Sequence, residues 1–422
     1  MNSLRQKPGL RVGRLVAALI VALSALLSSE LPSGGPPFGV LRAEALVGGP
    51  PTQGASAADS YALPQPGHAF VFPRDYGSHP EFRIEWWYVT GHLHTAAGRR
   101  FGFEATFFRL AAPRESPSPA GGQGNSESPS GSAFGSNQLF LTHMAVTDVQ
   151  TGHFLWDEKL NREGWDAGAG VGHLELHNEG WSLSATGTTR WGPKIRIVGG
   201  IRAEAAFTLD LTPAKPLVVF GENGVSRKGA EAGAASYYLT FSRLAARGTL
   251  MVGGHEDAVE GEAWMDHEIS SSQLGRGQVG WDWLCVQFDH EPREWMLYRL
   301  RHADGSADPV SRLQWVTTDG RAVTADYRWT VLSTWRSPAN GAVYPARVLL
   351  EARDPEGGLW RHWLIEPLIS DQELRGQLGG GPYWEGACRV LDDAGNQRGS
   401  AYMELTGYAG TVPSGGAADG LR

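Results

Sequence analysis

Three acids and a histidine share one short stretch of the chain with tryptophan. In "GEAWMDHEIS", Trp264 precedes Asp266, His267 and Glu268. A carboxyl that is buried against an apolar wall tends to hold its proton and can therefore act as a general acid. The π face of tryptophan also stabilises a cation. This combination predicts acid catalysis in an aromatic pocket, and the catalytic candidates are Asp266, Glu268 and His267.

Alternation along a strand decides which of these side chains can meet. Trp264, Asp266 and Glu268 share one face, whereas His267 faces the other way. We therefore expect His267 to pack or to orient rather than to transfer a proton, and Glu268 to replace Asp266 as the acid or to hold water. In the next strand, "GWDWLCVQF", two tryptophans again share a face. The aromatic candidates for substrate binding on these two strands are Trp264, Trp281 and Trp283.

A second aromatic stretch, "EWWYVTG", carries large side chains on both faces of one strand. Glu85 and Trp87 face one way, and Trp86 and Tyr88 face the other. We expect one face to be covered by a barrel interior and the other by a neighbouring domain. All four are candidates for substrate binding, and ordinary core packing is the alternative for the aromatic rings. His143, in "LFLTHMAV", is a further candidate, although a lone histidine on an apolar face is more often a hydrogen-bonded core residue.

The same acids also fit a purely structural explanation. Acids that crowd one strand face repel one another unless basic partners or protonation relieve them. A network of arginines and carboxylates that pins two domains together would do so without any catalysis. The sequence does not choose between the two explanations.

Short strands must position these residues. Strand-like runs recur between turns rich in glycine and proline (56 and 25 of 422 residues), and no helical period persists. This pattern predicts an all-β protein with two antiparallel barrels or sandwiches. The predicted domains are residues 61–274, with a flexible insertion over 112–137, and residues 275–412, with the seam between 272 and 280.

Composition narrows the classes of function. Charged residues make up 19% of the chain, the net charge is -8 and no long basic run occurs, which argues against a nucleic-acid partner. The thirteen histidines form no H-E-x-x-H pair, and two cysteines cannot form a zinc cluster, so we expect neither a metal nor a cofactor. Cys285 and Cys388 could pair or remain as buried thiols.

The first residues are typical of an export signal. Four basic residues precede the apolar run "LVAALIVALSALL", so residues 1–29 are interpreted as a signal peptide or a membrane anchor. Residues 30–60 are rich in Gly, Pro, Ser and Ala and are predicted to be a disordered linker. The body is therefore expected outside the cytoplasm, and the sequence leaves open whether it associates with a membrane surface. The oligomeric state is not predicted.

Eight phrases, in order, resemble one known family. They are "RIEWWYVTGHL", "FLTHMAVTD", "SRKGAEAGAASYYLTFSRL", "GEAWMDHEIS", "GWDWLCVQF", "EWMLYRLR", "YWEGACRV" and "AYMELTGY", and they resemble the carotenoid 1,2-hydratase (hydroxyneurosporene synthase) and AttH-like family over about residues 65–410. The resemblance implies two lipocalin-like β-barrels with a ligand held in an aromatic pocket near their seam. It adds Tyr383 and Trp384, from "YWEGACRV", to the candidates for substrate binding.

The resemblance also implies a reaction. The hydratases of this family add water to the terminal double bond of an acyclic carotenoid without a redox cofactor, and a carboxylic acid in the pocket is held to protonate the alkene. Asp266 stands in the matching "WMDHE" phrase. The expectation is an exported hydratase or isomerase that acts on an isoprenoid or lipid-like substrate. The alternative is an exported protein that binds such a ligand without reacting with it.

Overall fold

The structure is a computed structural model, and it describes four stretches of the chain: residues 61–111, 137–272, 274–378 and 381–409. The predicted signal or anchor over 1–29, the predicted linker over 30–60 and all but the last residue of the predicted insertion over 112–137 lie outside the described residues. No helix among the described residues is long and apolar enough to cross a membrane.

The first sheet holds thirteen strands. They are β1 (Ile84–Thr95), β2 (Arg100–Ala111), β3 (Gln138–Asp148), β4 (His153–Arg162), β5 (Ala167–Ala169), β6 (Glu175–Asn178), β7 (Trp181–Thr188), β8 (Pro193–Ile201), β9 (Ala205–Pro213), β10 (Val218–Phe220), β11 (Ser226–Arg227), β12 (Ala235–Val252) and β13 (His255–Ser270). Their order is β4-β3-β2-β1-β13-β12-β9-β8-β7-β6-β5, and β10 and β11 also pair with β12. The neighbours β1 and β13 therefore carry the two aromatic and acidic stretches side by side.

The side chain of Asn178 brings the two ends of this sheet together. From β6, its amide nitrogen donates to Phe140 O (3.1 Å) and Thr142 Oγ1 (3.0 Å) on β3 and to Lys159 O (3.3 Å) on β4. These bonds connect β6 to β3 and to the edge strand β4, whose edge would otherwise remain open to another chain. The first sheet is consequently a nearly closed barrel.

The second sheet holds ten strands and forms a half-barrel. They are β14 (Gln278–Phe288), β15 (Glu294–His302), β16 (Arg312–Val316), β17 (Ala322–Ala325), β18 (Tyr327–Arg336), β19 (Val343–Arg353), β20 (Trp360–Pro367), β21 (Glu373–Leu374), β22 (Tyr383–Leu391) and β23 (Gln397–Leu405). Their order is β17-β16-β15-β14-β23-β22-β20-β19-β18, with β21 beside β22.

Burial patterns separate the strands that face solvent from those that face the other barrel. Along β8 and β9, buried and exposed residues alternate almost strictly, as expected when one face meets water. Along β2 and β3, by contrast, nearly every residue is buried. The second sheet covers the outer face of β2 and β3, so the residues on both faces of these strands are buried.

An apolar cluster also lies between the two barrel cores. It includes Tyr88, Tyr238 and Trp264 from the first sheet, and Trp283 and Tyr402 from the second. The backbones approach so closely that a Cβ at Gly102 would lie 2.5 Å from the Cβ of Ala387. The predicted all-β fold with two lipocalin-like barrels is thereby confirmed.

Three details complete the fold. A 3-10 turn at Arg74–Tyr76 is the single helical element in the part of the chain that the structure describes. Cys285 and Cys388 are both buried and both free, so they do not form a disulfide. Gly253 and Gly254 adopt positive φ angles of 60° and 82° between β12 and β13, and such a pair permits a tight hairpin turn that other residues resist.

Candidate functional site

A narrow cavity lies where the two sheets face each other. Aromatic rings form most of the wall: Trp86, Tyr88, Phe108 and Tyr238 from the first sheet, and Trp281, Trp283, Tyr298 and Tyr383 from the second. Three acids also line it, namely Asp266, Glu268 and Glu404. A mostly apolar cleft with a few convergent polar groups is typical of a site for a small molecule.

Strand register explains why these groups converge. On β13, Asp266 lies between Tyr88 of β1 and Thr240 of β12. Two residues further along, Glu268 lies between Trp86 and Tyr238. Because residues directly opposite in antiparallel neighbours share a face, the acids and the rings must point to the same side of the sheet.

Asp266 is almost fully buried, at 2% exposure, and all of its hydrogen-bond partners are neutral. Its Oδ1 accepts bonds from Thr240 Oγ1 (2.5 Å) and Trp264 Nε1 (2.7 Å), and its Oδ2 bonds to Tyr238 Oη (2.7 Å). Burial raises the pKa of Asp266 to about 7, despite these hydrogen bonds, and the nearby charge of Glu268 adds to the rise. Asp266 can therefore carry a proton at neutral pH.

The position of that proton follows from the partners. The indole nitrogen of Trp264 can only donate, so Oδ1 must accept from it. The other oxygen, Oδ2, is therefore the better place for the acidic proton. It faces Tyr238, whose hydroxyl oxygen also accepts a bond from Trp283 Nε1 at 2.8 Å. Asp266, Tyr238 and Trp283 thus form a chain of hydrogen bonds that runs from the first sheet to the second.

Glu268 is held differently, by a cation. Its Oε2 accepts a bond from Ser236 Oγ at 2.5 Å and lies 3.0 Å from Lys228 Nζ. The same ammonium lies 4.7 Å from the ring centre of Tyr238 and 4.6 Å from that of Tyr298. The two acids on this strand face therefore differ, because Asp266 has only neutral hydrogen-bond partners whereas Glu268 is in an ion pair.

The loop that carries Lys228 is ordered. The glycines and alanines of residues 221–236 favour a flexible loop, but β11 within them pairs with β12. Lys228 itself is only 8% exposed. A composition that offers little to bury can still be ordered when one long side chain finds a charged partner.

Alternation removes four candidates from the cavity. Trp87 lies in the core of the first barrel, and Glu85 and His267 also lie on that opposite side of the sheet. Trp384 lies in the core of the second barrel, where its Nε1 donates to Ser370 O at 2.9 Å. In each case the next residue, such as Trp86 or Tyr383, lines the cavity instead, since adjacent residues of a strand point to opposite faces.

Glu85 and His267 belong to a buried charge network behind the sheet. Glu85 Oε1 lies 2.8 Å from His79 Nδ1 and 2.9 Å from His267 Nε2, and its Oε2 accepts a bond from Arg109 Nε at 3.0 Å. Burial alone raises the pKa of Glu85, but the two histidines and Arg109 outweigh it and hold this pKa well below its usual range. The three residues His79, Glu85 and His267 have the composition of a metal site. The guanidinium of Arg109 already neutralises the carboxylate, so a hydrogen-bonded ion network accounts for the arrangement.

His143 lies one contact behind the cavity. Its Nδ1 is 2.7 Å from the hydroxyl of Tyr383, which lines the cavity, and its Nε2 has no hydrogen-bond partner within the described residues. Burial lowers the pKa of His143 to about 3, so the ring is neutral at neutral pH. Trp264 also touches the site from behind, through its bond to Asp266.

The structural alternative, an arginine–carboxylate network at the seam, exists at a different place. Glu294 of the second sheet accepts bonds from Arg243 Nε (2.8 Å) on β12 and from Lys215 Nζ in the loop between β9 and β10. Arg243 also pairs with Glu262. Asp266 takes no part in this network, because its partners are the neutral groups described above.

Several residues of the site carry no local sequence signal. Tyr238 and Lys228 come from a strand and a loop that look ordinary, and Glu404 stands in "AYMELTGY", where a single acid alternates with apolar residues. The isolated charge of Glu404 on an otherwise apolar strand was the one signal available. The pairing of distant strands, which brings it to the wall, cannot be seen in the sequence.

Fold and cavity together define a two-barrel, lipocalin-like protein with an acid in an aromatic cavity. Residues 63–408 match the AttH-like family, and the chain belongs to that family. The resemblance to AttH-like proteins is thereby confirmed.

Two of the similar solved structures illustrate the match. A provisionally assigned AttH from Nitrosomonas europaea is 33% identical, with a TM-score of 0.68, and the match covers 82% of this chain and 99% of that one. Kievitone hydratase from Nectria haematococca is 12% identical, with a TM-score of 0.57 and coverage of 76% and 88%, which shows a shared fold alone. Comparison with curated proteins gives no match.

Proposed function

We propose that this protein is an acid catalyst, a hydratase or an isomerase, that acts on a double bond of an isoprenoid or other lipid-like substrate. The observation that carries the proposal is Asp266, a buried acid with neutral partners and a pKa raised to about 7, at the wall of an aromatic cavity. An alkene is a very weak base, and a desolvated acid held close to it is what its protonation requires.

The reaction would proceed by proton transfer and capture. The Asp266 proton goes to one carbon of the double bond, the π electrons form the new C–H bond, and a cation remains on the other carbon. The rings of Trp86, Trp281 and Trp283 face the cavity and shelter that charge. Water then adds to the cation and releases a proton, which gives an alcohol. Loss of a neighbouring proton to Asp266 instead gives an isomerised alkene.

The shared fold and the sequence resemblance favour a hydration over other reactions. Kievitone hydratase, whose fold is shared, is by its name a hydratase. The sequence resemblance favours one specific form of the proposed reaction. In this form, water adds to the terminal double bond of an acyclic isoprenoid such as a carotenoid. No redox or metal cofactor is needed for these steps.

The test is incubation of the purified protein with acyclic isoprenoids, followed by mass spectrometry. A product heavier by one water supports the hydratase, and a product of equal mass but altered retention supports the isomerase. Asp266→Asn keeps the shape of the neutral acid but cannot donate its proton, so it should bind without turnover. A ligand that binds to the wild type and returns unaltered would favour the carrier instead.

We also propose that the protein works outside the cytoplasm. The basic residues followed by the apolar run at residues 15–27 support export. Fractionation of cells that produce the full chain tests this, and recovery of the protein in the cytosol alone would contradict it.

A further inference from the structure

Two buried glutamates and one half-buried glutamate meet between the barrels, beside the cavity. Glu104 comes from β2 of the first sheet, and Glu385 and Glu404 come from β22 and β23 of the second. Glu385 and Glu404 are directly opposite in register. Glu104 and Glu385 have no exposed surface, whereas Glu404 keeps part of its surface open to the cavity that it lines.

The hydrogen-bond partners of this cluster are neutral, and Lys228 acts on Glu404 only from beyond ion-pair distance, where its charge lowers the pKa of Glu404. Among the described residues, no arginine or lysine forms an ion pair with any of the three glutamates. Tyr88 donates to Glu385 Oε1 at 2.5 Å, and Thr106 bonds to Glu104 Oε1. Such a group of charges would be costly to bury, so protons must compensate for the missing cations.

The remaining oxygens point to water. Glu104 Oε2, Glu385 Oε2 and the hydroxyl of Tyr402 are fully buried and bond to no other residue that the structure describes. Buried polar atoms are almost always satisfied, and where protein offers no partner an ordered water usually does so. Three such atoms around one cluster are therefore places where ordered water would find hydrogen-bond partners.

We propose that Glu104, Glu385 and Glu404 form a hydrated, proton-sharing carboxyl cluster that exchanges water and protons with the cavity through Glu404. Burial raises the pKa of Glu104 to about 8 and that of Glu404 to about 7, and it raises the pKa of Glu385 well above its usual value. Glu104 and Glu385 therefore stay protonated at neutral pH, and Glu404, which faces the cavity, gains and loses its proton there.

The cluster supplies what the proposed hydration still requires, and this part of the inference rests on that proposed function. Asp266 and Glu404 line the same cavity, and the charge of Asp266 adds to the raised pKa of Glu404, so one proton is readily shared between them. When Asp266 has protonated the substrate, the Glu404 carboxylate takes a proton from the attacking water. Glu404 then returns this proton to Asp266 through water, and both acids regain their starting states.

The first experiment needs no substrate. Infrared titration of the purified full chain should show carboxyl groups that remain protonated above about pH 6, where exposed carboxyls are ionised. Glu404→Gln should remove one of these signals and shift the rest to lower pH, because the charge of Glu404 raises the pKa of its neighbours. Transfer to heavy water should shift the signals within the mixing time if the cluster is hydrated.

Two further variants accompany the infrared titration, one as a control and one as a replacement. Glu260→Gln removes an exposed acid and should leave the protonated signals unchanged. Glu104→Gln serves if Glu404→Gln fails to fold, and it should likewise remove one signal near neutral pH. The proposal is overturned if the wild type shows no protonated carboxyl near pH 7, if both cluster variants leave the signals as they are, or if exchange with heavy water takes hours.

The second experiment separates this inference from the proposed function. With a substrate that is turned over, Glu404→Gln should lower kcat at least 100-fold, on the order expected for a general base, and should leave KM nearly unchanged. Normal kcat in Glu404→Gln would overturn the base role of Glu404 while Asp266 remains the acid. Absence of any turnover in the wild type would contradict the proposed function, and the infrared titration would still decide whether the cluster exists.

Discussion

Trp264 donates its indole N–H to Asp266 Oδ1 at 2.7 Å from two positions earlier on the same strand face. A tryptophan that lies beside an acid could be expected only to desolvate it, yet this one also fixes which oxygen accepts. Both effects act on one proton. The acid is consequently held in a defined geometry before any ligand arrives.

Turnover should depend on pH through Asp266. The pKa of Asp266 is raised to about 7, so the protonated form falls away as the pH rises through this value. We expect kcat to decline tenfold for each further pH unit above about 7, where Asp266 loses its proton. The base role proposed for Glu404 adds a decline below about pH 7, where the Glu404 carboxylate becomes protonated. A kcat that stays constant up to about pH 9 would rule out Asp266 as the proton donor.

The same acid should leave its mark on stability. A carboxyl whose pKa is raised on folding contributes stability that is complete below its unfolded pKa and is lost as the pH rises through its folded pKa. Asp266→Asn has no such loss. The melting temperature of this variant, relative to that of the wild type, should therefore increase as the pH rises from about 4 to about 8. A constant difference over this range would mean that Asp266 is ionised in the folded protein.

Tyr238→Phe should move the titration of Asp266 to higher pH. When Asp266 is ionised, the lost hydroxyl donates to its Oδ2, and this donor stabilises the carboxylate. The shift should be on the order of one pH unit, as expected for one hydrogen bond to a charged group. The matched control is Tyr237→Phe, since Tyr237 bonds to Gln65 instead and should leave the profile of kcat or of the infrared signal unchanged.

Glu294→Gln should weaken the joint between the barrels. It would leave Lys215 without its charge partner and Arg243 with Glu262 alone, and loss of one member of a buried ion pair costs about 3–5 kcal/mol of unfolding free energy. Denaturation in urea would measure the loss. Asp210→Asn breaks an exposed pair with Arg196 and should leave the midpoint nearly unchanged. Equal midpoints for both variants would contradict a structural role for Glu294.

The network around Glu85 should make the protein sensitive to acid and indifferent to chelators. The depressed pKa of Glu85 means that its stabilising effect is present above its usual pKa of 4.5 and is lost as the pH falls below it. Glu85→Gln should therefore be less stable than the wild type near neutral pH, with a difference that shrinks in acid. Chelation by EDTA should leave the melting temperature of the wild type unchanged, and a clear drop would instead mean that His79 and His267 hold a metal.

The sequence predicted the strands and the local faces well, because alternation is a property of the chain itself. It separated Asp266 from His267 correctly, and the structure places them on opposite sides of one sheet. Alternation also means that Trp86 and Trp87 could not both line one cavity, although both were candidates. Proximity in sequence suggested a shared site where strand geometry forbids it.

The rest of the site depends on pairings between distant parts of the chain. Tyr238 meets Asp266 across the β12–β13 pair, and Glu404 meets the cavity only because β23 lies beside β14. Neither relation has a local pattern. The packing of one barrel against the other fixes both, and a single sequence carries no readable record of that packing.

The wall of the cavity comes from both sheets, and this has a consequence for the history of the protein. Asp266 and Trp86 stand on one side, and Trp283 and Glu404 on the other. A gene for one barrel alone would have encoded a single wall. Selection for what the cavity holds could begin only after two barrels had been joined in one polypeptide or assembled from two.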